Sequence, residues 1–465
     1  MERKELEKLE KEQIIDLFIE TVNALTRRIE KLETELKTNS SNSSKPPSSD
    51  GYNKPKSSRK KSGKKVGGQP GHKGDGLKIE RVADEIIEHK TGICSNCGAD
   101  ISGVACVCSD TRNVIDFNIE VKIIRHKQMT TICPNCGAKN LGKMPVEASR
   151  SACYGAGLRA FSALLSNYAC VSMGKIKNIF SDVFGIKLST ATIANINKDF
   201  SHKSEPILRR IKEAVHASPT INSDETGINV NGGNWWIHTA STPTLTYMTA
   251  HAKRGNEGID DNGALIGYTG NVVHDCLKAY FKYQDCIHAL CNAHLLRELQ
   301  WVCDYTSQSW AVQMIDLLLK MKSVKERYIE SEKSEISCYY TRKFADEYTA
   351  IVELAKTEVP FNTESKKQHK SYNLLERFIK YQNEITLFLK NFEVPFDNNQ
   401  AERDIRNVKN KEKVAGTFRS EDGVKGFAKL SSIIGTTVKQ GKVVFDTLVD
   451  IASGKNVDLF NRATE

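Results

Sequence analysis

Between Asn39 and Gly74 the chain reads Asn-Ser-Ser-Asn-Ser-Ser-Lys-Pro-Pro and continues through Lys, Ser and Gly, a composition that no folded core can hold. Pro46 and Pro47 remove backbone donors and block a helix, and Ser, Asn and Lys bury too little apolar surface to offset the entropy of ordering. The chain is therefore divided, with a flexible linker expected over residues 39–79. Charge is concentrated in the same place: residues 39–74 hold nine Lys/Arg against the single acid Asp50, most of the net +10 of the whole chain. A local basic run of this kind either contacts nucleic-acid phosphates or is a solvated tail. Lys54, Lys56, Arg59, Lys60, Lys61, Lys64 and Lys65 are its candidate phosphate contacts.

In front of the linker, Ile15, Phe18, Val22, Leu25, Ile29, Leu32 and Leu36 follow one another at alternating gaps of 3 and 4. That is an a/d heptad seam, flanked by the mixed charges Arg27, Arg28, Glu30, Lys31, Glu33 and Glu35. Residues 1–38 are expected to form a coiled coil and so a homo-oligomer; the alternative is one amphipathic helix packed on its own protein. Behind the linker, a length of 465 residues allows about three folded units. Hydrophobic residues at 39% and charged residues at 27% exclude collagen-like and disulfide-scaffold classes. The longest stretch without a charged residue, 226–252, is rich in Gly, Asn, Thr and His and far from the ~20 apolar residues that cross a bilayer. The opening Met1-Glu2-Arg3-Lys4-Glu5 has no apolar signal core, so no membrane and a cytoplasmic, nucleoid-associated location are expected.

Thirteen cysteines in such a compartment point to thiols or metal ligands before disulfides. Cys94-Ser-Asn-Cys97-Gly and Cys133-Pro-Asn-Cys136-Gly are two identical knuckles, and a two-residue gap lets both thiolates of each face one point. Cys94, Cys97, Cys133 and Cys136 are the expected ligands of a structural Zn²⁺, with Cys106 and Cys108 as runners-up. Between the knuckles Ile115, Phe117, Ile119, Val121 and Ile123 alternate with polar residues, the period of a half-buried strand, so residues 80–147 read as a zinc-ribbon DNA-binding module. A second cluster, Cys286-Ile-His288-Ala-Leu-Cys291-Asn-Ala-His294, also has ligand-like spacing. Cys286 and His288 would point to one side of a strand, Cys291 to the other, and His294 would lie one turn into a helix, so core packing is the preferred reading.

The rest alternates between two periods. Residues 148–215 are helical in pattern. Extended segments follow at Thr220–Asp224, Asn234–Ser241, Leu245–Ala250, Gly270–His274 and Cys286–Cys291, with a helix before the fourth. Helical stretches then run to about residue 390, and a further helix starts near Asn399.

Three acids stand at the ends or edges of these elements. Asp224 closes the first strand, Asp275 closes the fourth, and Glu402 falls in Asn398-Asn399-Gln400-Ala401-Glu402-Arg403. Carboxylates brought together from separate elements can hold two Mg²⁺ for phosphoryl transfer. Singly, a strand-ending Asp is more often a turn residue, and Glu402 with Arg406 fits a surface ion pair. Asp260, Asp261 and Asp285 compete for the second position, whereas Glu225, Asp285 and Asp404 read as bystander acids that would touch no metal.

The order of Asn39–Gly51, Gly67–Gly74, the four-cysteine ribbon, Asp224-Glu225-Thr226, Asp275-Cys-Leu-Lys-Ala-Tyr280, Cys291-Asn-Ala-His294-Leu-Leu-Arg297 and Asn398–Arg403 resembles the large transposase of the insertion-sequence-66 family. Asn292 stands where that family usually has an aromatic, and Lys409-Asn410-Lys411 replaces its Arg-Lys-Asn run. The resemblance implies a multidomain α/β protein: N-terminal coiled coil, zinc ribbon, and an RNase-H-like mixed-sheet catalytic core over 216–415 with an all-helical insertion at about 305–393. A helical region, 416–465, would close the chain. It also implies a DDE-type enzyme in which Asp224, Asp275 and Glu402 bind Mg²⁺ (or Mn²⁺), water cuts the ends of an insertion sequence, and the freed 3′-hydroxyls join target DNA. Double-stranded DNA and small accessory proteins of the element would be its partners. Arg254, Arg403 and Arg406 are candidates for holding DNA phosphates or orienting the acids, with ordinary ion pairs as the alternative. A catalytically inactive zinc-ribbon regulator and a structure-selective nuclease on the same fold are the rival readings.

Overall fold

A computed structural model describes residues 10–37, 39, 42, 71, 79, 81–117, 119–145, 148, 153–361 and 368–460. The basic run Lys54–Lys65 lies outside the described residues. The chain divides into two compact units, Ser57–Arg125 and a larger one made of Met1–Lys56 with His126–Glu465.

In the smaller unit the Cys94 knuckle is a tight turn. Cys94 N–H donates to Ala99 O at 2.9 Å, Gly98 N–H returns to Cys94 O at 2.9 Å, and Gly98 takes φ 72°, a left-handed conformation that glycine adopts without strain. Residues 115–117 and 119–123 form no strand, and Phe117 and Ile123 are exposed, contrary to the expected half-buried strand. Alternation supplies a strand with a face but not with a neighbour, and an extended segment lacking a hydrogen-bonding partner is not stable by itself.

The larger unit opens with α1 (Lys11–Lys37), in which Ile15, Phe18, Val22, Leu25, Ile29 and Leu32 are all exposed. Further on, β1 (Thr130–Ile132) and β2 (Lys139–Leu141) pair antiparallel around the second knuckle. There Cys133 N–H donates to Ala138 O and Gly137 N–H to Cys133 O, with Gly137 at φ 72°, the same turn as the first. Four helices follow: α2 (Ala156–Ala163), α3 (Met173–Phe184), α4 (Thr190–Lys203) and α5 (Glu205–His216). Ser172 and Ser189 cap α3 and α4 through their hydroxyls, the function expected of Ser at a helix start.

The centre is a five-stranded sheet of β3 (Thr220–Val230), β4 (Gly233–Ser241), β5 (Thr246–His251), β6 (Asn271–His274) and β7 (Ile287–Leu290), with α6 (Asn256–Asn262) before β6. Its order is β5-β4-β3-β6-β7; β3, β4 and β5 are antiparallel neighbours, and β6 and β7 run parallel to β3. All five strands fall where the sequence places them, except that β3 runs six residues past Asp224. Ile228 and Val230 are buried on the same face as Asp224, and Asn231-Gly232, both at positive φ, turn the chain directly into β4. Asp224 is therefore inside a long hairpin strand and not at its end.

Strand alternation then divides the sheet. One face presents Ile228, Ile237 and Met248 to Val408, Val424 and Phe427; the other presents Ile221 and Ala240 to Leu208, Ile211 and Ile259. After β7 the chain enters a helical layer, α7 (Asn292–Tyr305), α8 (Trp310–Glu330), α9 (Cys338–Glu358), α10 (Lys370–Lys380) and α11 (Gln382–Lys390). It has its own core around Trp310, Phe344, Tyr348, Phe378 and Phe388. The chain returns to the sheet in α12 (Asn399–Ala415), then α13 (Glu421–Lys439) and α14 (Val444–Ala452). Among the described residues no helix is long and apolar enough to cross a membrane.

A buried ion pair fixes α12 to the sheet. Lys439 Nζ on α13 lies 2.6 Å from Asp404 Oδ2 on α12, and both side chains are only 11% exposed. Ser241 Oγ (2.5 Å) and Thr246 Oγ1 (3.0 Å) also donate to that oxygen, and Lys439 donates to the carbonyls of Thr242 and Leu245. Asp404 is thus a structural anchor and not the neutral bystander expected. Asp404→Asn should cost about 3 kcal/mol by leaving the Lys439 charge uncompensated. Adding Lys439→Met should return part of that loss in thermal unfolding. An unchanged melting temperature for Asp404→Asn would show that the pair is not what holds α12.

Candidate active site

Parity in β3 decides which of two adjacent acids can join Glu402. Successive side chains of a strand point to opposite faces, so Asp224 lies with Ile228 on the face covered by α12, and Glu225 points to the other. Register brings the two elements side by side: Asn222 pairs with Val273 at the last paired position of the parallel ladder, and Asp224 and Asp275 each lie two residues further along. Glu402, in the first turn of α12, completes the group.

The electrostatics agree with one shared neighbourhood. The carboxyl of Asp224 is held well above its ordinary range by burial and then by the charges of Glu225, Asp275 and Glu402. Burial and Glu225 push Asp275 up to about 6, opposed by the Leu277 N–H and then by Arg254. Several carboxylates in a poorly solvated place leave negative charge without compensation, and an all-oxygen donor set of this kind suits a hard divalent cation such as Mg²⁺ or Mn²⁺.

The competitors are accounted for elsewhere. Asp260 accepts from Lys282 Nζ (2.6 Å) and Tyr283 OH (2.8 Å), Asp285 is exposed, and Asp261 lines a separate hollow with Arg209 and Lys212. Glu225, expected to be a bystander, is buried and held by Arg254 (2.9 Å) and by Tyr280 OH (2.8 Å). Arg254, which also lies over the Trp236 ring at 4.9 Å, therefore orients an acid next to the group. Arg403 and Arg406 are exposed on α12, and Arg403 is bonded to Gln400 at 2.7 Å.

The Cys286–His294 cluster separates into two. His288 Nδ1 meets His274 Nε2 at 3.0 Å, where His274 is fully buried and stacked on Tyr280. Cys291 and His294 turn instead toward Glu402. His294 Nδ1 is 3.8 Å and Arg297 Nη2 3.6 Å from Glu402 Oε1. Cys291 and His294 border a cleft of about 180 Å³ lined also by Asp275, Glu298 and Arg377, the last two joined as an ion pair.

One residue with a central part had no role in the sequence reading. Asn398 is completely buried and precedes α12; its Oδ1 accepts from Asn222 Nδ2 at 2.9 Å and its Nδ2 donates to Ser223 O at 2.7 Å. Its N–H donates to Cys291 Sγ at 3.1 Å. The only available signal was its place one turn before Glu402, because its partners lie far away in sequence.

Comparison with known families identifies the chain's class. Residues 151–426 match the family described as Transposase IS66 family, and residues 2–78 match a family of unknown function, DUF6444. No curated protein matches the chain. The first match spans more than half of the sequence and includes the sheet, the helical layer and all three acids, so the chain belongs to the IS66 family of transposases. It acts, accordingly, on DNA.

Stripped of divalent cations, the wild type should lose stability relative to Asp275→Asn as pH rises from about 4 to about 7. A carboxyl whose folded value is raised stabilises the fold below its unfolded value, and that contribution disappears as pH climbs through about 6. The difference for Asp275 is roughly 3 kcal/mol. Mg²⁺ should recover it at the upper end only. Parallel pH curves of melting temperature for the two proteins would contradict the clustering.

Proposed function

We propose that the chain is a DDE-type transposase whose catalytic carboxylates are Asp224, Asp275 and Glu402, carried on an RNase-H-like core. The observation that supports this most is that Asp224 on β3 lies within electrostatic reach of Asp275, just past the end of β6, and of Glu402, on α12. With Asp224 on the first strand of the central sheet, Asp275 after the fourth and Glu402 on a helix beyond the helical layer, the acids follow one another as the resemblance implies. The helical layer between β7 and α12 matches the expected insertion.

Bound between these carboxylates, two divalent cations would supply a nucleophilic oxygen and charge stabilisation for the leaving oxygen. The protein's part is positional. Asn398 sets the level of α12 against β3, so Glu402 stays opposite Asp224. Arg254 and Tyr280 keep Glu225 turned away from the acids that bind. Burial excludes bulk water and strengthens every charge interaction within the group. In the first reaction water attacks a phosphodiester at an element end, one phosphorus–oxygen bond forming as another breaks to release a 3′-hydroxyl. That hydroxyl then attacks a target phosphodiester by the same exchange.

Other regions would serve DNA and assembly. Each knuckle has the backbone of a zinc turn: the N–H groups of Cys97 and Asn96 lower the Cys94 thiol, and those of Cys136 and Asn135 lower Cys133. Cys94 with Cys97, and Cys133 with Cys136, would each supply a pair of thiolates to Zn²⁺. The exposed seam of α1 fits self-association as a coiled coil. The linker lysines and arginine, with Arg403 and Arg406, would neutralise phosphates.

Strand transfer of DNA carrying the element ends tests the assignment. Asp224→Asn, Asp275→Asn and Glu402→Gln should each lower it on the order of a thousandfold or more, with DNA binding retained. Asp285→Asn should be near wild type. Activity surviving in any of the three would remove that residue from the triad, and survival in all three would end the proposal.

A further inference from the structure

Cys291, His294 and Glu402 bring one thiol, one imidazole and one carboxylate together, with ligand atoms all within 4.8 Å of one another. Two of those atoms lack what buried polar atoms require. His294 Nδ1 and Glu402 Oε1 are inaccessible to solvent and neither has a hydrogen-bond partner among the described residues. Their separation of 3.8 Å is too long for a hydrogen bond. A buried polar atom left without a partner costs about 1–3 kcal/mol, and the contact to Arg297 at 3.6 Å does not remove that cost. A cation between them would. Ligands about 2.0–2.3 Å from a tetrahedral ion sit about 3.3–3.8 Å from one another, against 3.8 Å between His294 Nδ1 and Glu402 Oε1 and no more than 4.8 Å for any pair of the three.

The local fold explains the convergence. Cys291 follows β7 and caps the start of α7, and the three-residue step to His294 places the imidazole in the first turn of that helix, within 3.8 Å of Glu402 on α12. Cys291 is buried, and its sulfur accepts the Asn398 N–H at 3.1 Å. Burial pushes the Cys291 thiol up to about 12, the Asn398 N–H opposes that shift, and backbone donors of this kind support metal-bound cysteine. The cleft beyond Cys291 and His294 leaves room for a fourth ligand.

We propose that Cys291, His294 and Glu402 form a binding site for a borderline divalent transition-metal cation of the Zn²⁺ class, adjoining the all-oxygen set of Asp224 and Asp275. Sulfur and imidazole select against Mg²⁺, whereas oxygen ligands favour it. Two chemically different cation positions then share Glu402, each using one carboxylate oxygen. The site stands apart from the strand-transfer reading, because ion binding needs neither DNA nor reaction.

The full chain, stripped with a chelator and dialysed against Zn²⁺ in the presence of excess Mg²⁺, tests it by metal counting. The wild type should hold one more Zn²⁺ per chain than His294→Gln or Cys291→Ala, and Cys94→Ser with Cys97→Ser should keep that ion. Asp224→Asn should also keep it while losing strand transfer, which separates failure of this site from failure of the triad. Co²⁺ added to the stripped wild type should give a thiolate-to-metal absorption band that is reduced in Cys291→Ala. His294→Gln replaces a partly exposed side chain, so a folded variant is available even if Cys291→Ala unfolds. Equal zinc in the wild type and His294→Gln, or affinities within twofold of each other, would overturn the proposal and leave these residues as a clamp on Glu402.

Discussion

The side chain and backbone of Asn398 join the end of β7, the middle of β3 and the start of α12, and the position of the acids depends on that junction. One amide accepts from Asn222, donates to Ser223 O and presents its own N–H to Cys291 Sγ. Each bond lies in a fully buried place, where an unmade one costs the whole desolvation of the group. Because Asn398 follows the long helical layer, it closes a loop of more than a hundred residues onto the sheet. A substitution here would not remove a carboxylate; it would release Glu402 from its level against Asp224.

The site is a compromise between charge and burial. Asp224 and Asp275 lie where carboxylates prefer to be protonated, and Glu225 on the opposite face is satisfied only by Arg254 and Tyr280. The adjacent acids behave differently because strand parity sends one toward α12 and the other toward a cation and a phenol. Asp404, two residues past Glu402, is neutralised by Lys439 and anchors the same helix. Negative charge is thus paired at Glu225, Asp404 and, through Arg297, at Glu402, whereas Asp224 and Asp275 have no ion-pair partner among the described residues, which is the feature behind the proposed cation site.

Most of the central sheet was legible because its strands are short apolar alternations bounded by turns. The extent of β3 was not, since Thr226 and Asn229 interrupt the run and its final register is set by the Asn231-Gly232 turn and by packing against Phe418 and Phe427. The alternation at 115–123 misled for the converse reason: periodicity records a face and says nothing of a neighbouring strand. Asp224, Asp275 and Glu402 were named from the sequence with help from the family resemblance; what brings their elements near one another is register and the packing of α12, which no local pattern records. The convergence of Cys291 and His294 on Glu402 was hidden, because the whole helical layer separates them in sequence. Reading the four ligand-like residues from 286 to 294 as one unit obscured the division between His288, paired with His274, and the other pair.

Binding of Mg²⁺ to the chain on DNA, followed by calorimetry near neutral pH, tests most directly whether three elements build one cation site. Ligands acting as a unit lose affinity together, so Asp224→Asn, Asp275→Asn and Glu402→Gln should each abolish the binding heat, and Asp224→Asn with Glu402→Gln should be no weaker than either alone. Mg²⁺ binding that survives Asp275→Asn unchanged, or losses that simply add, would mean that the acids are neighbours without being a site.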